Sequence, residues 1–215
     1  VVQDTFSVDL IGLKAKTTYY FAAYGVIMDG TDIIGELFEF RTLNPKITDY
    51  DGNEYPTVQI GDQIWMAENL KVTHYPDGSV IPHVTGNSNW AALGDNNTDD
   101  AYCWYGDDEA TYKDLYGALY TYAAALDACP TGWHLPTDAE WTELENYLIA
   151  NGYNWDGTIS GDKTGKSLAA TSGWTSYSTA GTVGNDQASN NSSGFSALPG
   201  GGRSNYDGSF YGAGY

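Results

Sequence analysis

The sequence predicts an α+β domain with two helices and long loops, preceded by a partial all-β sandwich. Three observations carry this. Residues 1–43 hold three short segments with β patterning, residues 115–152 hold two apolar stripes at helical spacing, and the chain from Asn154 to Tyr215 is dominated by Gly, Ser, Asn and Thr with isolated aromatics. At 215 residues there is chain enough for one or two cores. The 18 Tyr and 26 Gly suit strands and tight turns bearing amphipathic rings rather than disorder.

The β patterning runs over Thr5–Leu10, Thr18–Ile27 and Glu36–Thr42, with turn chemistry at Met28-Asp29-Gly30-Thr31. Asn44-Pro45-Lys46 reads as a short linker, because Pro lacks a donor and fixes an extended backbone; two independent units, 1–43 and 46–215, are expected. Val58-Gln59-Ile60 and Gln63-Ile64-Trp65-Met66 then alternate around Gly61-Asp62, a pair that suits a primed two-residue hairpin. His74 to Asp100 is rich in Pro, Asn, Asp and Gly and is expected to form long loops with scattered short strands.

The first helix is expected over about Leu115–Leu126, where Leu115, Leu119, Tyr122 and Leu126 fall on one face, and it ends before Cys129-Pro130. The second has a sharper start. Thr137 caps its first amides while Glu140, three residues on, reaches back to the Thr137 backbone as a capping box. Trp141, Leu144 and Leu148 make its buried stripe, and Asn151-Gly152 is a left-handed stop. Trp155, Trp174, Phe195, Tyr206 and Phe210 anchor the loop-rich layer that follows.

Charge narrows the partners. Nine Lys and Arg against 28 Asp and Glu give a net charge of -19, and phosphate backbones are bound by cationic side chains, so no nucleic-acid partner is expected and anionic membranes are disfavoured. No apolar run reaches the roughly 18 residues of a membrane-spanning helix, so no transmembrane segment is expected in residues 1–215. Val1-Val2-Gln3-Asp4 lacks the regions of a signal peptide, and the chain is expected to be a piece of a longer protein.

Two resemblances sharpen this reading. In Leu13-Lys14-Ala15-Lys16-Thr17-Thr18-Tyr19-Tyr20-Phe21 the spacing before Tyr19 resembles the tyrosine corner of fibronectin type III domains, and Phe38-Glu39-Phe40-Arg41-Thr42 is similar to that family's last strand. This implies that residues 1–43 are the C-terminal strands of such a sandwich, unable to close a core alone. Further on, five blocks stand in one order: Ile64-Trp65-Met66-Ala67-Glu68-Asn69-Leu70, Tyr102-Cys103-Trp104-Tyr105, Tyr116-Gly117-Ala118-Leu119-Tyr120, Cys129 through Trp141, and Gly194-Phe195-Ser196-Ala197-Leu198-Pro199-Gly200-Gly201. Together they resemble the Fibrobacter succinogenes major paralogous domain over residues 46–215. Leu135 to Trp141 is also similar to a helix start in formylglycine-generating enzymes. The implied fold is C-type-lectin-like, with two helices against a small twisted sheet. The implied setting is bacterial, extracellular or cell-surface, in secreted or lipid-anchored proteins. The resemblance also implies a late Cys beyond Tyr215 as the partner of Cys129, with Cys103 the weaker candidate.

Against that background the chain reads as a non-enzymatic binding or adhesion module, with a polysaccharide or a surface protein as partner. Rings stack on sugar faces while amides bond hydroxyls, and Trp155, Tyr177, Asn205, Tyr206 and Phe210 are the candidate contacts on the loops of residues 153–215. No catalytic residue is expected. Formylglycine-generating enzymes depend on late cysteines that bind copper and substrate, whereas Cys103 and Cys129 sit in blocks of structural character. His134 lies near Cys129 but stands at a helix start with no triad pattern. An enzyme of that group is one alternative, and a ligand-free spacer is another.

No cofactor is expected. His74 and His83 have no zinc spacing, and Asp95-Asn96-Asn97-Thr98-Asp99-Asp100 departs from a calcium loop because Asp100 replaces its Gly and Gly106 its Glu. Asp107, Asp108, Asn185 and Asp186 are candidate calcium ligands, competing with solvated turn residues. Ser160 through Ser167 resembles a phosphate loop but has Ser160 for the first Gly and no strand before it, so nucleotide binding is rejected.

Overall fold

The computed structural model describes residues 10, 11, 13, 17–42, 46–94 and 97–215. The expected strand Thr5–Leu10 (save Leu10), Lys14–Lys16 of the tyrosine-corner block, the linker residues Asn44-Pro45, and Asp95-Asn96 lie outside the described residues. The chain divides into two compact units, Val1–Pro45 and Lys46–Tyr215.

In the first unit β1 (Thr18–Phe21) pairs antiparallel with β4 (Phe38–Arg41), and β2 (Tyr24–Val26) with β3 (Asp32–Ile34). The single strand expected over Thr18–Ile27 therefore changes partner at Ala22-Ala23, where Gly35 N–H closes on the Ala23 carbonyl at 2.7 Å. The expected turn forms, with Gly30 at φ 87 and Thr31 N–H on Asp29 Oδ1 at 2.9 Å. Tyr19 stacks on Phe40 with centroids 5.7 Å apart, and Phe21 on Phe38 at 5.6 Å. Tyr20, Tyr24, Ile33 and Ile34 stay exposed.

Among its described residues the second unit mixes short antiparallel strand pairs with five α-helices. β5 (Ile47–Thr48) pairs with β6 (Glu54–Tyr55) and β7 (Thr57–Ile60) with β8 (Gln63–Met66). β7–β8 is the expected primed hairpin: Gly61 takes the first turn position at φ 60, and a Cβ there would also lie 2.8 Å from the Tyr147 ring. After α1 (Asn87–Leu93) come β9 (Tyr102–Cys103), a 3-10 turn at Tyr105–Asp107, α2 (Glu109–Tyr116), β10 (Leu119–Tyr120), α3 (Tyr122–Asp127), α4 (Asp138–Ala150), α5 (Gly165–Leu168), β11 (Gly200–Arg203) and β12 (Phe210–Ala213). β9 pairs with β10 and β11 with β12.

The helix count corrects the expectation of two. The continuous helix over Leu115–Leu126 does not form, because Gly117 sits at φ 71 and a Cβ there would meet the Leu70 carbonyl at 2.6 Å. The chain breaks there into α2, strand β10 and α3, which Thr121 caps by accepting from Ala124 N–H. α1 rises inside the stretch expected as loop, its Trp90 buried beside Ala101 and Cys103. The expected α4 is present with its capping box complete.

Three apolar clusters support these elements. Val72, Ile81, Tyr102, Trp104 and Ala124 form one. Val58, Ile60, Trp65, Leu144 and Leu148 form the second, which seats the β7–β8 hairpin on α4. Trp90, Ala101 and Cys103 make the third.

Candidate functional site

Strand β8 and the start of α4 wall a cavity of about 660 Å³. Cys129, the run Gly132 to Pro136 and the segment Phe195 to Ala197 also line it. The volume lies in the range of small-ligand sites, and most of the wall is apolar. Aromatic packing builds it: Trp65 meets Trp141 at 4.7 Å and Phe195 at 5.6 Å between centroids, and Trp141 meets Phe195 at 5.9 Å. Only Trp65 of the three is buried. Trp141 is 39% exposed, so the expected stripe of α4 is carried by Leu144 and Leu148, and Trp141 instead borders the cavity.

Hydrogen bonds fix the polar members. Gln63 Nε2 donates to the Glu140 carbonyl at 3.0 Å and its Oε1 accepts from Trp65 Nε1 at 3.2 Å, tying β8 to α4. Thr137 N–H and Oγ1 each donate to Glu140 Oε2 at 2.8 Å, and His134 Nε2 lies 2.8 Å from Glu140 Oε1. The Thr137 backbone and hydroxyl, then His134, hold the Glu140 carboxyl down at about 2. Ser196, at φ 65, is pinned by Asn191, whose Oδ1 accepts from Ser196 N–H at 2.9 Å. Positive φ at a non-glycine is an uncommon conformation, held here by its surroundings.

Cys129 also lines the cavity, and burial pushes its thiol above the ordinary range. Cys103 lies in the third cluster, its thiol raised to about 11 by burial although Arg203 works the other way. Both cysteines are free thiols.

The sequence-selected residues fall elsewhere. Trp155 is exposed and lies against Gly181, while Tyr177 is exposed beside Gly184. Asn205 and Tyr206 form the tip between β11 and β12, with Tyr206 90% exposed. Phe210 is half-buried: its ring lies 4.3 Å from the Arg203 guanidinium carbon and 5.2 Å from Tyr105. Trp174, also considered, is half-buried and donates its indole N–H to the Ala170 carbonyl at 3.0 Å.

Among the candidate calcium ligands, Asp107 meets Arg203 through both oxygens and also accepts from Gly86 N–H at 2.8 Å. Asp108 caps α2 by accepting from Thr111 N–H at 3.1 Å. Asn185 and Asp186 do surround a cation, and that cation is the ammonium of Lys166. It donates to the Asp186 carbonyl at 3.1 Å, the Thr182 carbonyl at 3.5 Å and, closest of all, the Asn185 carbonyl. Lys166, in the phosphate-loop lookalike, is only 7% exposed and faces carbonyls. Among the described residues no three of His, Cys, Asp or Glu cluster so as to hold a metal ion.

Sequence reasoning missed the cavity. The available signal was that four of the five ordered blocks contribute to its wall, through Ile64–Leu70, Tyr120, Cys129–Trp141 and Phe195–Ala197. A family model, the Fibrobacter succinogenes major domain, matches residues 58–215. No curated protein and no solved structure matches the chain.

Proposed function

Since the chain belongs to the Fibrobacter succinogenes major domain family, we propose that it is a non-enzymatic binding or adhesion module of the bacterial exterior. Its partner is a polysaccharide or a surface protein, and its contact is the aromatic-walled cavity. The scaffold we propose is C-type-lectin-like, and residues 1–43 are the last strands of a fibronectin type III-like sandwich. The observation that carries the binding reading is a preformed concave site of about 660 Å³ with rings on its wall and a few fixed polar groups. Two further features favour binding over catalysis. Both thiols are pushed up by burial, away from the thiolate that nucleophilic or copper chemistry needs. His134 is engaged with the carboxylate of a helix cap. No described helix is long and apolar enough to cross a membrane.

Tryptophan fluorescence tests this, because Trp65, Trp133 and Trp141 line the cavity. The chain is titrated with a panel of soluble polysaccharides and extended peptides. A saturable change that Trp133→Ala abolishes supports the cavity. Binding that survives Trp133→Ala but is lost in Tyr177→Ala or Tyr206→Ala moves recognition to the loop face. No binding to any member favours the spacer.

A further inference from the structure

One wall of the cavity is a strand with an unused edge. Among the described residues β8 pairs only with β7, in the register Ile60↔Gln63, Gln59↔Ile64, Val58↔Trp65 and Thr57↔Met66. In a two-residue hairpin the residues flanking the turn exchange hydrogen bonds, and bonded pairs then alternate with unbonded ones. Gln63 and Trp65 therefore bond to β7, and Ala67 continues the series, its N–H on the Pro56 carbonyl at 2.9 Å. Ile64 and Met66 fall at the unbonded positions, so their N–H and C=O groups point away from β7. Among the described residues neither group of either residue takes a hydrogen bond. All four β8 residues line the cavity and no β7 residue does, which places the cavity on that open side.

We propose, resting on the binding-module reading above, that the partner is an extended polypeptide segment added to β8 as a third strand. Backbone donors and acceptors that repeat every second residue are matched by another β-strand, and an edge of this kind is a template for one. A polysaccharide offers hydroxyls without that period. The wall also offers apolar side chains, Trp65, Leu135, Trp141 and Phe195, to a bound segment. Its charge is one-sided: Glu68 and Glu140 line the cavity and no Lys or Arg does, on a chain of net charge -19. The segment therefore carries apolar residues at alternate positions and Lys or Arg at its flanks. Two-stranded hairpins are marginal alone, so a third strand also stabilises this one.

The test uses the whole chain and a fluorescent seven-residue peptide of alternating Val and Thr flanked by Lys. Saturable binding is expected, measured by anisotropy. Methylating the alternate peptide nitrogens that face β8 removes two donors and weakens binding about tenfold or more, while methylating the other set leaves it within about twofold. Met66→Pro, which deletes an outward N–H and spares the hairpin bonds, gives the same loss in the protein. Should that variant not fold, the methylation series on the unmodified chain still decides. Equal effects from both methylated sets overturn strand addition. Polysaccharide binding lost in Trp133→Ala, with no peptide binding, overturns it too while leaving the binding-module reading intact. Absence of binding to peptide and polysaccharide alike defeats both.

Discussion

Arg203 grips Asp107 with two hydrogen bonds, Nη1 to Oδ1 at 2.8 Å and Nη2 to Oδ2 at 3.2 Å, across 96 positions of sequence. The guanidinium is sandwiched as well, 4.8 Å from the Trp90 ring and 4.3 Å from the Phe210 ring, and its remaining donors reach the Gly208 and Val84 carbonyls. β11, β12, α1 and the 3-10 turn thus share one cation. Asp107→Ala strands that charge where its side chain is fully buried, and is expected to cost about 3–5 kcal/mol in urea unfolding. Arg203→Lys recovers little of it, since an ammonium cannot make the planar fork.

The order of side-chain truncations follows from burial. Leu144→Ala, at a fully buried position, is expected to cost about 2–5 kcal/mol. Phe210→Ala also destabilises, through its lost stack on Arg203, whereas Tyr206→Ala leaves the melting temperature unchanged. Trp141→Ala falls below Leu144→Ala because the ring already meets solvent. Thermal denaturation of the four variants gives the ranking, and a Tyr206→Ala cost matching Leu144→Ala contradicts it.

Glu140 makes the start of α4 acid-sensitive. Its carboxyl is depressed from an ordinary 4.5 to about 2, so its contribution is fully present above pH 4.5 and is lost as pH falls toward 2. The protection factors of the first-turn amides of α4, taken relative to the intrinsic exchange rate at each pH, should fall across that window. Glu140→Gln keeps a cap acceptor and removes the titration, so its protection factors should be flat there.

The two thiols should react in order. At neutral pH Cys103, with its pKa near 11 and no exposure, resists iodoacetamide until the chain unfolds. Cys129, partly exposed, alkylates in the folded state at a rate below that of a free thiol. Mass spectrometry of peptides after brief labelling distinguishes them, and equal labelling in the folded state would falsify the assignment.

Local chemistry made some of this legible in sequence. Thr137 with Glu140, and Gly61 within alternating strands, are signals complete within a few residues, and α4 and the β7–β8 hairpin stand where they indicated. The break at Gly117 was not legible, because the reason for it is the Leu70 carbonyl, a neighbour 47 positions away. Helical spacing of Leu115, Leu119, Tyr122 and Leu126 argued for continuity, and tertiary contact overrode it. The cavity escaped for the same reason: its wall gathers segments that begin at Gln63, Cys129 and Phe195, and no local pattern joins them. Phe210, an isolated aromatic in a Gly-rich stretch, has Arg203 and Tyr105 lying against it, neighbours that no local pattern announces.

Lys166 gives its loop a counter-ion that cannot be diluted. A free ion in that carbonyl cradle would come and go with its concentration outside, and a chelator would remove it. The ammonium is bound to α5 by its own side chain, so its local concentration at the Thr182, Asn185 and Asp186 carbonyls is set by the fold alone. The loop's shape is thereby uncoupled from the ionic makeup of its surroundings.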